Sequence, residues 1–321
     1  MRISRRLALG ASVLALVLSA CTTGEGSQSP AGSAETSGTT DLPPITVGSD
    51  GFPESALVAE IYAQALEAQG FTVDRQLEIG ARAARIAAFK SGEINLMPEY
   101  IGSGVLYLFE NEDLEGEATS DTAETLEILN GQLAELEPAA VAFDASPGTD
   151  ADGFVVTQET ADEYGLATMS DLAEVAGELT WGLPPECGDN PACGPGLNEV
   201  YGIDISTLDV NDYAACDVPM AEALNAGEID VAELCTTQAA IETFNFVLLE
   251  DDGGLAPAQN IAPVVTQELA DAGGSTLADA LNAVSELLTT EELTRLNAAL
   301  ADSQASFEDA AAQWLEDNGM V

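Results

Sequence analysis

Two ten-residue segments of the chain repeat one another, and this repeat constrains the fold more than any other feature. Residues 87–96 are AAFKSGEINL and residues 222–231 are EALNAGEIDV. Each combines a helix-like segment, a glycine that suits a left-handed helix end, and a short apolar run that suits a buried strand. Helix, glycine and strand in this order form the αβ unit of a parallel sheet. The repeat therefore predicts two α/β lobes.

Polar or aromatic residues follow the strand of each repeat. The first strand leads into Glu99 and Tyr100, and the second leads into Thr236, Thr237 and Gln238. In open α/β sheets, ligands bind in the crevice beyond the carboxyl ends of the strands. We therefore expect the two lobes to present these clusters to a shared cleft.

Local signals predict several helix boundaries. Pro53-Glu54-Ser55 suits the first turn of a helix that ends near Gly70. Helix starts are also expected at Ser120-Asp121 and Ser170-Asp171. Trp181 and Trp314 are expected to be core or surface packing residues. The last helices are predicted over residues 277–288, 291–300 and 307–315.

The charge balance excludes several classes of function. The chain has 56 Asp and Glu, 8 Lys and Arg and no His, so its formal net charge is -48. Binding to nucleic acids, or to an anionic membrane through a polybasic patch, requires clustered Lys and Arg, so neither interaction is expected. The lack of His removes the commonest metal ligand and the usual general base. We expect no metal, no cofactor and no catalytic residue, although abundant carboxylates leave a glycosidase-type carboxylate pair as the enzyme alternative.

The N-terminus has the features of an export signal. Arg2, Arg5 and Arg6 precede an uncharged run over residues 7–20, and LSAC at residues 18–21 resembles a bacterial lipobox. Residues 1–20 are therefore predicted to be a signal peptide. Residues 21–44 are predicted to be a flexible tether with a lipidated Cys21 that anchors the protein outside the cytoplasm. A plain signal peptide with an incidental cysteine is the alternative, and export by the Sec or the twin-arginine route is open.

Four more cysteines occur in the body of the chain: Cys187, Cys193, Cys216 and Cys235. An oxidising compartment favours disulfides, and four cysteines allow three pairings. We favour Cys187–Cys193 with Cys216–Cys235, because each closes a short loop. A zinc site is disfavoured because the chain has no CxxC pair and no His.

Several segments together resemble the substrate-binding proteins of osmoprotectant ABC importers, which bind glycine betaine, choline or carnitine. The resemblance extends over residues 45–321 and is carried by residues 45–49, 60–67, 91–94, 98–102, 184–187, 195–197, 200–202 and 249–252. It implies an α/β two-lobe type 2 periplasmic-binding-protein fold with two hinge crossings. Lobe 1 would comprise residues 45–144 plus 248–321, and lobe 2 residues 145–247. It also implies a monomer that captures a small solute and delivers it to the transmembrane permease subunit.

The resemblance implies an aromatic cage for the ligand, because aromatic faces attract a quaternary ammonium. Tyr100 matches a cage tyrosine of the family. Four other family positions differ, and they carry Asp50, Asp152, Asn190 and Cys235 here. Asp50 and Asp152 either replace aromatic faces with formal charge or belong to the general acidic surface.

Arg82 follows Gly80 at a predicted helix start and either binds a ligand carboxylate or pairs with an acid. The candidate ligand-binding residues are Ser49, Asp50, Phe52, Arg82, Tyr100, Asp150, Asp152, Asn190, Thr236, Thr237 and Gln238. An amino-acid or polyamine ligand, a role as a ligand sensor, and an extracellular hydrolase are the alternative functions.

Overall fold

The computed structural model describes residues 43–188, 190, 192–214, 218–303 and 305–321. The predicted signal peptide, Cys21 and residues 21–42 of the predicted tether lie outside these residues, as does Cys216. Among the described residues, no helix combines the length and the apolar character that crossing a bilayer requires.

Within the described part of the chain, ten strands form two five-stranded mixed sheets. Their bounds are β1 (Ile45–Gly48), β2 (Val73–Gln76), β3 (Leu96–Tyr100), β4 (Ala140–Ala142), β5 (Asp152–Val156), β6 (Thr180–Leu183), β7 (Asp209–Asp212), β8 (Val231–Cys235), β9 (Val247–Leu248) and β10 (Ile261–Thr266).

Helices connect and cover the strands. Their bounds are α1 (Pro53–Ala68), α2 (Arg82–Ser91), α3 (Ile101–Glu112), α4 (Thr122–Glu135), α5 (Gln158–Tyr164), α6 (Met169–Val175), α7 (Gly194–Gly196), α8 (Val218–Ala226), α9 (Ala239–Thr243), α10 (Gln267–Leu287), α11 (Thr290–Ser303) and α12 (Phe307–Asp317).

The two sheets have equivalent strand orders, β2-β1-β3-β10-β4 and β7-β6-β8-β5-β9. In each, the central strand pairs with a parallel strand on one side and an antiparallel strand on the other. Strand β3 pairs with β1 and β10, and strand β8 pairs with β6 and β5. The chain passes from the first sheet to the second between β4 and β5, and returns between β9 and β10.

The sequence repeat maps onto these central strands, which confirms the prediction made from it. Helix α2 ends at Ser91, Gly92 has φ 78°, and β3 follows. Helix α8 ends at Ala226, Gly227 has φ 70°, and β8 follows. A left-handed glycine ends each helix because this backbone conformation carries little steric cost only for glycine.

Each sheet is buried on both faces. Helices α1, α10, α11 and α12 cover one face of the first sheet, and α2, α3 and α4 cover the other. In the second sheet, Trp181 lies on the face covered by α5 and α6, while α8 packs on the opposite face. Trp181 and Trp314 are both fully buried, so both pack in the core rather than on the surface.

One predicted helix boundary is wrong. Ser170-Asp171 does not begin α6, because the Thr168 side chain caps it and Asp171 completes a reciprocal capping box. The helix predicted over residues 277–288 is present as the later part of α10, which Gly274 interrupts with a non-helical φ of 55°; the earlier part, from Gln267, was not predicted. Local polar signals marked the start of α6 but placed it incorrectly, because they do not specify which side chain caps.

Candidate ligand-binding cleft

The carboxyl ends of the central strands lie on either side of the first connection between the sheets. Tyr100 ends β3, and Thr236 follows β8. The connecting segment is held on both sides, because the Asp150 amide donates to the Gln259 carbonyl and the Ala151 amide donates to Thr236 Oγ1 at 3.0 Å. The strand-end clusters predicted from the repeat therefore meet around Asp150.

Asp150 lines two cavities. The smaller one, which we call the polar cavity, has a volume of about 200 Å³. It is lined by Phe52, Arg82, Tyr100, Ser103, Asp150, Ala151, Asp152 and Gln259. The larger one, which we call the apolar cavity, has a volume of about 510 Å³ and is lined by Phe52, Pro53, Glu54, Asp150, Cys235, Thr237, Gln238, Ala239, Asn297, Leu300, Ala301, Ala305 and Phe307.

Two aromatic rings stand side by side at the cleft. The ring centroids of Phe52 and Tyr100 are 5.9 Å apart, with an angle of 38° between the ring planes. Phe52 is 39% exposed and lines both cavities, whereas Tyr100 is 5% exposed and lines only the polar cavity. Such a pair presents ring surface that attracts a cation when water is excluded.

Glu54 is a buried acid beside these rings, in the first turn of α1. Its Oε1 accepts a 2.7 Å hydrogen bond from the Tyr100 hydroxyl, and its Oε2 accepts a 2.6 Å hydrogen bond from Asn297 Nδ2. The positive end of the helix dipole also favours a negative charge in the first turn. Glu54 is thus held in one orientation with its charge uncompensated by any described cation.

Asp150 is the second buried acid of the cleft and lines both cavities. Its Oδ1 accepts a 2.8 Å hydrogen bond from Thr237 Oγ1. Burial, and then the negative charge of Glu54, raise the pKa of Asp150 to about 7. A buried carboxyl group whose ionisation is opposed by a neighbouring acid marks a place where a positive charge would be stabilised.

Two further buried acids, Asp50 and Glu99, are neutralised inside the protein. The guanidinium group of Arg85 is fully buried, and it donates to Asp50 Oδ1 at 2.8 Å and to Glu99 Oε2 at 2.7 Å. Arg82 donates to the other oxygen of Glu99 at 3.2 Å. These guanidinium groups lower the pKa of Glu99 despite its burial. Arg82 therefore pairs with an acid, which is one of the two roles expected for it. The charge of Asp50 is compensated by Arg85.

Every cation in the described part of the chain forms an ion pair with a carboxylate. The remaining pairs are Arg75 with Glu60 and Glu67, Lys90 with Glu112, and Arg295 with Glu292. A ligand carboxylate would therefore compete with a protein carboxylate for any of these groups, whereas a ligand cation meets the acids Glu54 and Asp150.

The structure brings most of the predicted residues to the cleft. Tyr100, Phe52, Arg82, Asp150, Asp152, Thr237 and Gln238 line the two cavities, and Asp50 lines a neighbouring cavity of about 330 Å³ together with Phe52 and Arg82. Ser49 and Thr236 are buried and bond to the backbone, Ser49 with Glu78 and Asp50, and Thr236 with Thr149 and Ala151. Asn190 is absent from the lining of these three cavities and accepts a bond from the Ala192 amide.

One of the described cysteines, Cys235, lies at the cleft. Cys187 and Cys193 form a disulfide, and Cys235, which lines the apolar cavity, is also disulfide-bonded. The Glu233 carboxylate lies 3.1 Å from Cys193 Sγ. A disulfide sulphur has neither a proton to donate nor a thiolate charge. The group formed by Cys187, Cys193 and Glu233 is therefore not a metal site in the oxidised protein.

Among the residues whose polar contacts organise the cleft, Glu54, Arg85 and Asn297 were not predicted from the sequence. Glu54 was noted only as a first-turn acid. Arg85 lies three residues after Arg82 on α2, and the scarcity of cations was the one signal that this pair has a specific role. Asn297 has no sequence signal, because it is 243 residues from Glu54.

Comparison with known families gives one match over most of the chain. Residues 43–317 match the model of the substrate-binding domain of ABC-type glycine betaine transport systems. The chain is also similar to a glycine-betaine-binding protein of Pseudomonas aeruginosa, with 26% identity over 86% of this chain and 88% of the relative. Its identity to the glycine betaine-binding protein YehZ of Escherichia coli is 23%, over 86% of this chain and 91% of YehZ.

A solved structure supports the architecture. The crystal structure of a glycine betaine/carnitine/choline ABC transporter protein aligns with a TM-score of 0.76 at 21% identity, covering 86% of this chain and 99% of that one. At this identity the likeness concerns the fold, which is the two-lobe α/β fold of type 2 periplasmic binding proteins. The fold expected from the sequence is confirmed.

Proposed function

This chain belongs to the family of substrate-binding domains of ABC-type glycine betaine transport systems, and on that premise we propose that its cleft binds a small solute with a quaternary ammonium or similar cationic group. The protein is a solute-binding component of an ABC importer, and the family acts outside the cytoplasm. The observation that carries the ligand class is the placement of the Phe52–Tyr100 ring pair beside the buried acids Glu54 and Asp150.

Charge supports a cation more than a zwitterion. Each described cation is already paired with a carboxylate, and Glu54 and Asp150 have no cationic partner among the described residues. A ligand that carries only a positive charge gains from these acids without displacing an ion pair. We therefore expect choline to bind more tightly than glycine betaine, although the relatives are named for glycine betaine.

We propose lobe 1 over residues 45–144 plus 248–321 and lobe 2 over residues 145–247, with ligand bound between them. We propose a monomer that is anchored through a lipidated Cys21, delivers its solute to a permease subunit and has no catalytic activity. A polyamine is the second candidate ligand, because two neighbouring carboxyl groups also suit a protonated amine.

A ligand screen tests the proposal. Thermal unfolding is measured with choline, glycine betaine, carnitine, polyamines and amino acids, because a ligand that binds the native state raises the melting temperature. Hits are titrated by calorimetry against wild type, Glu54→Gln and the control Glu163→Gln, which removes an exposed acid on α5. We expect Glu54→Gln to weaken cation binding about tenfold or more and the control to leave it unchanged. Stabilisation by amino acids alone would contradict the proposal.

A further inference from the structure

The apolar cavity is not accounted for by a small cationic head group. Its volume of about 510 Å³ is more than twice that of the polar cavity, at about 200 Å³. On its own it falls within the range of about 300–1,000 Å³ that is typical of small-molecule sites. A trimethylammonium group held at the ring pair would leave most of this space to water.

The two cavities meet where the positive charge is expected. Phe52 and Asp150 line both of them, and Glu54 lines the apolar cavity while it bonds to Tyr100 of the polar cavity. An ammonium group at this junction faces the Phe52 ring and two acids. A substituent on its nitrogen then has the apolar cavity open to it on one side.

The wall of the apolar cavity suits a hydrocarbon group. Asn297, Leu300 and Ala301 lie at positions i, i+3 and i+4 of α11 and therefore share one helix face. Asn297 bonds to Glu54 and to the Thr237 carbonyl, so it fixes this face against the junction. Beyond it, Leu300, Ala301 and Phe307 offer only apolar side chains.

We propose that the solute is an amphiphilic cation, whose ammonium group lies between Glu54 and Asp150 and whose apolar substituent of several carbons occupies the apolar cavity. This inference rests on the proposed function and narrows it to a class of substrate. Charge at the junction fixes the orientation of the ligand. Burial of the substituent supplies affinity that a bare head group lacks.

A series of ligands that differ only in chain length tests the inference. Tetramethylammonium, ethyltrimethylammonium and butyltrimethylammonium are titrated by calorimetry into the purified protein. Each buried methylene contributes about 0.8 kcal/mol, so affinity should rise about fourfold per methylene. An affinity that is constant or falls along the series would overturn the inference.

Variants on α11 separate specific binding in the cavity from general adsorption. Ala301→Phe fills the apolar cavity, whereas Ala299→Phe places the same side chain at an exposed position outside its lining. We expect Ala301→Phe to abolish the gain with chain length and Ala299→Phe to retain it. An equal gain in both variants would overturn the inference. If wild type binds no quaternary ammonium at all, the proposed function fails as well, whereas binding without a chain-length gain removes only the inference.

Discussion

The Tyr100 hydroxyl donates a 2.7 Å hydrogen bond to Glu54 Oε1, across 46 residues of sequence. Burial and the Glu54 charge both raise the pKa of Tyr100 well above its usual value, so the phenol keeps its proton. Tyr100 therefore has two tasks: its ring lies beside Phe52, and its hydroxyl orients an acid of the cleft.

Two substitutions of Tyr100 separate these tasks. Tyr100→Ala removes ring and hydroxyl, and we expect affinity for a quaternary ammonium to fall at least about tenfold, or about 1.4 kcal/mol. Tyr100→Phe keeps the ring, so a smaller loss is expected in the same calorimetric titration. An unchanged affinity in Tyr100→Ala would remove Tyr100 from the site, and equal losses in both variants would assign the effect to the hydroxyl.

Ligand binding should depend on pH through Asp150. Its pKa is raised to about 7, so the group is largely protonated at pH 6 and largely ionised at pH 8. Because an ionised carboxylate attracts a cation, affinity should increase as pH rises through about 7. Near and below that pH, binding of the cation should release the proton of Asp150. Calorimetry in buffers of different ionisation enthalpy measures the released proton. Asp150→Asn should remove this release, and the exposed-acid control Asp209→Asn should retain it.

The same group makes stability depend on pH. A carboxyl group whose pKa is higher in the folded state binds its proton more tightly there, so the unfolded state loses protons first as pH rises. The contribution of Asp150 to the free energy of unfolding should therefore fall between about pH 4 and pH 7 and then level off. Urea unfolding of wild type minus that of Asp150→Asn isolates this contribution. A difference that increases with pH would show that the folded state does not hold the proton.

The buried guanidinium of Arg85 should be important for stability. Arg85→Met leaves Asp50 without its ion pair and Glu99 with only Arg82, and breaking a buried pair in this way costs about 3–5 kcal/mol. Arg295→Met is the control, because its ion pair with Glu292 is exposed and contributes about 1 kcal/mol or less.

A triple variant distinguishes charge from shape at the same place. Adding Asp50→Asn and Glu99→Gln to Arg85→Met removes the uncompensated charges, so much of the lost stability should return in urea unfolding. If the triple variant is no more stable than Arg85→Met, loss of packing rather than buried charge explains the effect.

Asn297 should influence how the lobes open and close. Its Nδ2 donates to Glu54 on α1 of the first lobe and, at 3.0 Å, to the Thr237 carbonyl after β8 of the second. Asn297→Ala removes both bonds, so we expect a larger radius of gyration for the ligand-free protein in small-angle scattering. Asn318→Ala, which loses a bond to the Trp314 carbonyl in α12, should match wild type. Saturating ligand should compact wild type. If ligand-free Asn297→Ala gives the same scattering curve as ligand-free wild type, Asn297 does not hold the lobes together.

Local sequence signals determined much of the architecture. The repeated helix, glycine and strand segments predicted the two central strands β3 and β8, because left-handed glycines and short apolar runs act over a few residues. Pro53 and Asp121 likewise marked the starts of α1 and α4. The resemblance to a family then directed attention to Tyr100 and Asp152, which do line the cleft.

Only the tertiary structure decided what each charge does. The sequence has 56 acids, and nothing local distinguishes Asp50, neutralised by Arg85, from Asp150, which faces another acid. Asn297 reaches Glu54 and Thr237 from 243 and 60 residues away, and α11 completes the apolar cavity only when the chain returns from the second sheet. Helix and strand formation depends on neighbours in sequence, whereas burial, pairing and cavity shape depend on neighbours in space, which the fold alone brings together.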